Sequence, residues 1–576
     1  MYEINYSISF ERPHTHYCEV EIFLNSLNQD TVIFSMPVWT PGSYLVREFS
    51  RNVENVTAEN SNGEKLSVEK INKNSWRIAV KHHKNLKLKY KVYCNEFTVR
   101  TSEIKSEHAF ISNSGVFMFA RGFENDKCVL EINLPEEWKQ ISTGLTKESG
   151  NIYSAENYDL FIDSPIELGN QNILEFEIGG VRHDICLSGK GNYKDEVLIK
   201  DFKKIAEEEI KLFGGGIPYK NYTFIIHLVQ KGGGGLEHHN SFVGQANRWI
   251  FNDGKLYKKF LGLVSHEFFH LWNVKRIRPA ALGPFNYDSE NYTKSLWIAE
   301  GWTSFYDSLI LRRSGLLDNK EYYEFLDVEI NDIMRFKGRF NQSLAESSFD
   351  TWIKFYRKDE NYNNSQVSYY TKGALVTMML DIEIIKNTNA EKSLDDALRM
   401  LYEDYKKNNS IGYTEERVME ICEIVCGKNL SSFWEKYIMG VEELPLESYL
   451  NECGLKLVNE NESAQAALDI ETKEDNGKYI VTKVFDGGSA YESGLNFNDE
   501  IIAVNGVRMD LSLMINFLKD YSEGDELKVL ISRSGIIKEI KVKLLASLPK
   551  YKITSMETQS VEQQKNLDKW LSGEPE

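Results

Sequence analysis

The apolar residues of this chain change their period twice, and that change limits the fold more than any other feature. Near the start, Tyr2, Ile4, Tyr6, Ile8 and Phe10 alternate with Glu3, Asn5, Ser7 and Ser9. A period of two builds a strand with one buried face. Leu86, Leu88, Tyr90 and Val92 repeat it against lysines at 87, 89 and 91. Few helical stretches interrupt this texture, which predicts a β-sandwich-like domain over 1–175. The period then turns helical. Leu198, Phe202, Ile205 and Leu212 line one face of 195–213, closed by Gly214. Asn221 to Val229 reads as one strand, broken by Gly232 to Gly235, and from about 255 to 450 helices alternate with polar turns. Strand followed by helices is an α+β arrangement, here over 176–454. After the polar run Asn459 to Ser463 short strands return: Tyr479 to Phe485, Glu500 to Val504 with an Asn505-Gly506 turn, Leu527 to Ile531 and Ile536 to Leu544. With a helix at Leu511 to Lys519 they form a small module over 455–548, and a polar tail, 549–576, ends a multidomain α+β chain. Val561, Leu567, Trp570 and Leu571 suit a short docking helix in that tail; disorder is the alternative.

With 576 residues the chain needs more than one core. Its net charge, 68 − 86 = −18, disfavours nucleic acid and anionic membrane as partners. No apolar run reaches the roughly 18 residues of a spanning helix. MYEINYSISF has neither a basic nor an apolar leader region, so no secretory signal is expected. The seven cysteines are scattered without a CxxC pair, which fits free thiols and a reducing, cytoplasmic setting.

The chemistry is carried by Ser-His-Glu-Phe-Phe-His at 265–270. A spacing of four puts His266 and His270 on one helix face, where both imidazoles can meet one ion. Zinc takes tetrahedral nitrogen and oxygen ligands at roughly 2.0–2.2 Å and, in catalytic sites, leaves one position for water. Glu267 is rotated from His266 by about 100° of helix turn, a poor ligand but well set to take a proton from water at the metal. A third ligand is needed, and Trp297-Ile298-Ala299-Glu300-Gly301-Trp302 places Glu300 in an otherwise apolar helix. A carboxylate there is costly unless it meets a cation. An ordinary amphipathic helix that happens to hold two histidines leaves Glu300 unexplained.

HEFFHLWNVKRIRP, followed by WIAEGWTSFY, resembles the glycyl aminopeptidase family of gluzincin zinc peptidases, as does MPVWTPGSYLVREFSRNV at Met36 to Val53. The resemblance implies one Zn2+ per chain, a thermolysin-like catalytic domain with an α-helical lobe, and a C-terminal PDZ domain. It also implies peptide substrates with a free N-terminus, from which small residues such as glycine or alanine are released. In such folds a strand like Asn221 to Val229 edges the cleft and a peptide adds to it, Gly234 and Gly235 allowing close approach. Glu237 then pairs with the substrate ammonium, with His238 following it. Ser368 to Gly373 resembles the gluzincin segment that carries an oxyanion-stabilising tyrosine; Tyr370 matches, with Tyr369 as the alternative. Asn273, Lys275 and Arg276 match the family without a role that the sequence yields.

Gly488-Ser489-Ala490 to Val504-Asn505-Gly506 resembles a protease-associated PDZ domain, whose groove takes a peptide or the chain's own tail. Leu468-Asp469-Ile470 departs from the usual carboxylate loop, because an aspartate there repels a C-terminal carboxylate. Two rival functions remain: a zinc endopeptidase on the same scaffold, and a catalytically silent PDZ scaffold.

Overall fold

A computed structural model describes residues 3–81, 83–408, 411–461 and 466–573. Tyr2, and Glu462 and Ser463 of the polar run, lie outside the described residues. The chain divides into two compact units, 1–293 with 401–414, and 294–400 with 415–576. The division falls between the HExxH segment and Glu300, inside the stretch that reads from sequence as one α+β domain.

The first unit opens with a β-rich domain. Strand Glu3–Ser9 pairs antiparallel with Tyr17–Leu24 and parallel with Lys127–Asn133 inside an eight-stranded sheet. The period-two face is the core face: Ile4, Tyr6 and Ile8 are buried together with Leu86, Leu88, Tyr90 and Val92. A five-stranded sheet follows, in the order Asn172–Ile178, Val181–Ser188, Asn221–Val229, Ser241–Asn247, Gly235–His238. The strand Asn221–Val229 matches its expected span but lies in the middle of this sheet, not at the cleft edge. The edge is Gly235–His238, paired antiparallel with Ser241–Asn247 in the register Glu237↔Phe242. A strand of four residues shows too little alternation to read, and the glycine run before it resembles a loop. Helix Gly254–Phe269 carries the HExxH segment and is tied to helix Asp195–Leu212 by Ser265 Oγ donating to Glu209 Oε1 at 3.0 Å.

In the second unit helices surround Thr371–Asn387, which is buried along most of its length. The C-terminal module is built on strands Ile470–Asp475, Lys478–Val484, Glu500–Val504, Glu526–Arg533 and Ile536–Lys543, in that order across one sheet. Val481, Ile501, Val504, Leu527, Val529 and Val542 form its core. It is held between two paired strands, Leu455–Asn459 and Tyr551–Ser555. Asn364 fixes it to the helices, donating to Val484 O at 2.8 Å and accepting from Asp486 N at 2.9 Å. Asp469 sits at φ +54, buried, with Leu548 N 3.5 Å from its Oδ1, so this aspartate faces chain and not solvent.

The tail takes the docking-helix alternative, with Val561 exposed. Its last part is a helix, Val561–Ser572, started by a Ser560–Gln563 capping box. Leu567, Trp570 and Leu571 are buried; Trp570 packs edge-on to Tyr322, and its carbonyl accepts from Arg313 Nη2 at 3.1 Å. The face that these three residues cover is narrow, which is why disorder stood as the alternative in the sequence. Trp570→Ala should destabilise this unit by about 3–5 kcal/mol, measured as a lowered urea midpoint with unchanged secondary structure.

Candidate active site

In the first unit His266 and His270 stand one turn apart, their rings 4.7 Å between centroids and nearly perpendicular. The regular helix ends at Phe269, so His270 occupies its last turn. His270 Nδ1 lies 2.7 Å from Asn273 O. As donor to that carbonyl, Nδ1 keeps the proton and Nε2 keeps the lone pair that a metal needs. Asn273 thereby gains a role through its backbone, which no side-chain motif could reveal.

Two glycines bring other segments close to two carboxylates. A Cβ on Gly235 would stand 2.2 Å from Glu267 Oε1. A Cβ on Gly42, at φ +84 in the Thr40–Ser43 turn, would stand 2.5 Å from Glu237 Oε1. At Gly42 the left-handed backbone itself favours glycine, whereas at Gly235 the atoms met are the movable end of Glu267. Gly234, also at positive φ, shapes the approach to the edge strand, its carbonyl accepting from Gln245 N at 3.0 Å. Glu237, Glu267 and His270 each offer a ligand-type atom within 4.8 Å of the others, and all three are buried.

The counter-charge near Glu237 is Lys275. Its Nζ donates to Asp163 Oδ1 at 2.9 Å and lies 3.8 Å from Glu237 Oε1. His238, expected beside the substrate, spends Nδ1 on the same Asp163 oxygen at 2.9 Å. Burial pushes the Asp163 carboxyl upward, but Lys275 and His238 outweigh it and hold it below the usual carboxylate range. Asp163 lies in the β-rich domain and no local pattern marked it. Arg276, buried, donates to Leu271 O at 2.7 Å and Pro218 O at 3.1 Å and so clamps the turn after His270. Burial and the Arg276 charge push neighbouring His239 down to about 3, so it stays neutral. A cavity of about 50 Å³ beside these groups is lined by Gly42, Tyr44, Asp163, Glu237, Lys275 and Arg278.

In the second unit Glu300 sits on a π-helical turn, Trp297–Trp302, that runs into helix Thr303–Arg313. It is 2% exposed among buried Trp297, Ile298 and Trp302. A π turn inside an α-helix re-aims one side chain and is common at functional sites. A Cβ on Gly301 would lie 2.6 Å from Gly373 Cα, so the turn and helix Thr371–Asn387 meet backbone to backbone. The glycines of the two motifs are thus a matched pair, a relation invisible in either motif alone. The contact sets Glu300's turn beside the helix that Tyr370 opens. Tyr369 is fully buried and its hydroxyl accepts from Thr351 Oγ1 at 3.1 Å. Tyr370 is half-buried and stacks on Phe355, ring centroids 5.3 Å apart.

Residues 5–170 match the family model of the Peptidase M61 N-terminal domain, and residues 259–376 that of the M61 glycyl aminopeptidase. No curated relative matches the chain. Among solved structures, an aminopeptidase N family protein from Idiomarina loihiensis is 30% identical, with a TM-score of 0.91 over 99% of this chain and 100% of that one. An M1 zinc metallopeptidase from Deinococcus radiodurans gives 11% identity and a TM-score of 0.48 over 77% of this chain and 95% of that one. Over its full length the chain shares the fold of the Idiomarina loihiensis protein. The chain belongs to the M61 glycyl aminopeptidase family. No helix among the described residues is long and apolar enough to cross a membrane.

The two glycine contacts should respond differently to one added methyl. Gly235→Ala collides with the movable end of Glu267, so hydrolysis should fall by about 10²-fold or more while the melting temperature stays close to wild type. Gly301→Ala collides with backbone and should lower the melting temperature as well.

Proposed function

We propose that the chain is a zinc-dependent aminopeptidase that releases small N-terminal residues, glycine or alanine, from peptides. His266, His270 and Glu300 hold the ion; they are one of the two candidate ligand groups among the described residues. Two imidazole nitrogens and one carboxylate suit a catalytic zinc that keeps a position open, and the Asn273 carbonyl gives His270 the tautomer that ligation requires. The M61 glycyl aminopeptidase model spans 259–376, which contains every residue assigned to metal, base and oxyanion.

Bound there, zinc would polarise the scissile carbonyl and acidify water. Glu267 takes the proton from the attacking water and passes it to the leaving amine. Its carboxylate has room to swing only because Gly235 has no side chain. Tyr370 donates its hydroxyl to the developing oxyanion; Tyr369, which is fully buried while Tyr370 is half-buried, is the weaker candidate. The edge strand Gly235–His238 receives the substrate backbone, and Glu237 on that strand binds the N-terminal ammonium. The observation that carries the amine anchor is Glu237 itself. It is 3% exposed, and its Oε1 lacks a hydrogen-bond partner among the described residues. A buried carboxylate oxygen left without a donor is costly, and a substrate ammonium supplies one. The small cavity beside it fits the preference for small first residues. An endopeptidase would have no use for such an anchor, and a silent scaffold none for Glu267.

The C-terminal module is proposed as a PDZ domain of catalytically secondary role, since every residue assigned to the reaction lies before 374. Tail and module are distinct pieces, so a deletion that tests the module should remove about 462–548 and keep Tyr551–Ser555 and Val561–Ser572.

Purified protein should hold one zinc by elemental analysis, and His266→Ala, His270→Ala and Glu300→Ala should each lose it. Unchanged zinc in all three contradicts the ligand assignment. Glu267→Gln should retain zinc and lose about 10²–10⁴-fold in kcat. Glu237→Ala should raise KM for free-amine substrates, and the wild type should cut N-acetylated peptides poorly. Equal cleavage of acetylated and free peptides would favour the endopeptidase.

A further inference from the structure

We propose that Asp163 and Lys275 form a charge gate on Glu237, holding a cation near the anchor carboxylate but off it, so that only a substrate bringing its own ammonium completes the site. The inference rests on Glu237 as the amine anchor and adds two residues that no motif assigns.

The geometry is unusual for a lysine beside a buried carboxylate. Lys275 Nζ is 3.8 Å from Glu237 Oε1, too far for a hydrogen bond. It is 2.9 Å from Asp163 Oδ1, a good one. The three side chains are almost completely enclosed, at 7%, 4% and 11% exposure for Lys275, Glu237 and Asp163. Without a second carboxylate, the lysine would move onto Glu237, because a buried ammonium seeks its strongest acceptor. Asp163 prevents this. Burial alone would push it toward protonation, yet Lys275 and His238 keep it ionised and able to hold the lysine.

The charge count then favours one kind of ligand. Asp163, Glu237 and Lys275 sum to −1, apart from Glu267, whose carboxylate lies close to Glu237 and acts with the proposed zinc. Asp159 and Arg278, which line the same cavity, carry opposite charges and leave that sum unchanged. An incoming primary ammonium brings the group to zero and fills the Oε1 acceptor. An acetylated terminus brings no charge and leaves a buried anion uncompensated, which costs binding. The lysine therefore stabilises Glu237 while the pocket is empty, and Asp163 stops it from becoming a competitor.

Asp163 and Lys275 are positioning residues, since they act on substrate through Glu237. The test is a double-mutant cycle, read as KM and kcat on an alanyl amide and its N-acetyl counterpart. Asp163→Asn frees the lysine to occupy Glu237, so KM for the free amine should rise about 10-fold or more, with a smaller change in kcat. Adding Lys275→Met removes the competitor, so KM in the double variant should return to within about 3-fold of wild type. A purely structural Asp163 would leave the double variant at least as impaired as the single one, and that result overturns the gate. Unchanged KM in Asp163→Asn overturns it too. If Asp163→Asn does not fold, Lys275→Met alone decides: its KM for the free amine should fall, and a rise or no change contradicts the proposal. Glu237→Ala in the same assay separates the two levels. If it leaves free-amine KM unchanged, the anchor itself fails and the gate with it; if it raises KM while the cycle shows no rescue, only the gate fails.

Discussion

Two carboxylates and an imidazole that share a few ångströms of buried space set the terms for the rest of this molecule. Glu237, Glu267 and His270 lie within 4.8 Å of one another by their ligand-type atoms, and all are buried. Like charges so placed repel and lose hydration, so the arrangement persists only where the surroundings supply positive charge. Lys275 provides part of it from one side. The proposed metal provides the rest. The β-rich domain contributes Asp163 to steady the lysine and Gly42 to make room for Glu237. That domain is a structural participant in the site, and its match to the M61 N-terminal model fits such a tie.

Glycine does in this site what larger residues do in a core: it fixes how close two segments come. Gly235 against Glu267, Gly42 against Glu237 and Gly301 against Gly373 are three such approaches. Each places a candidate functional side chain by removing another one. The π turn at Trp297–Trp302 belongs to the same logic, because it turns Glu300 relative to the helix that follows.

Much of this was legible in the residues before any coordinate. The alternation at Ile4, Tyr6 and Ile8, the helix of 195–212, the strand Asn221–Val229 and the strands of the C-terminal module follow from period and turn chemistry, which are local. The HExxH spacing and the lone glutamate of WIAEGW were equally plain. What stayed hidden was non-local or carried by the backbone. Asp163 meets Lys275 across 112 positions. The Asn273 carbonyl has no sequence signature, and Gly301 and Gly373 make sense only as a pair. The edge strand was hidden by its shortness, and the choice between helix and disorder in the tail turns on Tyr322, against which Trp570 packs.

In the proposed reaction a metal and an amine anchor act on opposite ends of one substrate residue. Crystals soaked with a non-hydrolysable dipeptide analogue that keeps its free amine, measured at the zinc absorption edge, test it most directly. One anomalous peak bonded to His266, His270 and Glu300 is expected, with the analogue's ammonium against Glu237 Oε1. A peak on other ligands, or an ammonium bound away from Glu237, would contradict it.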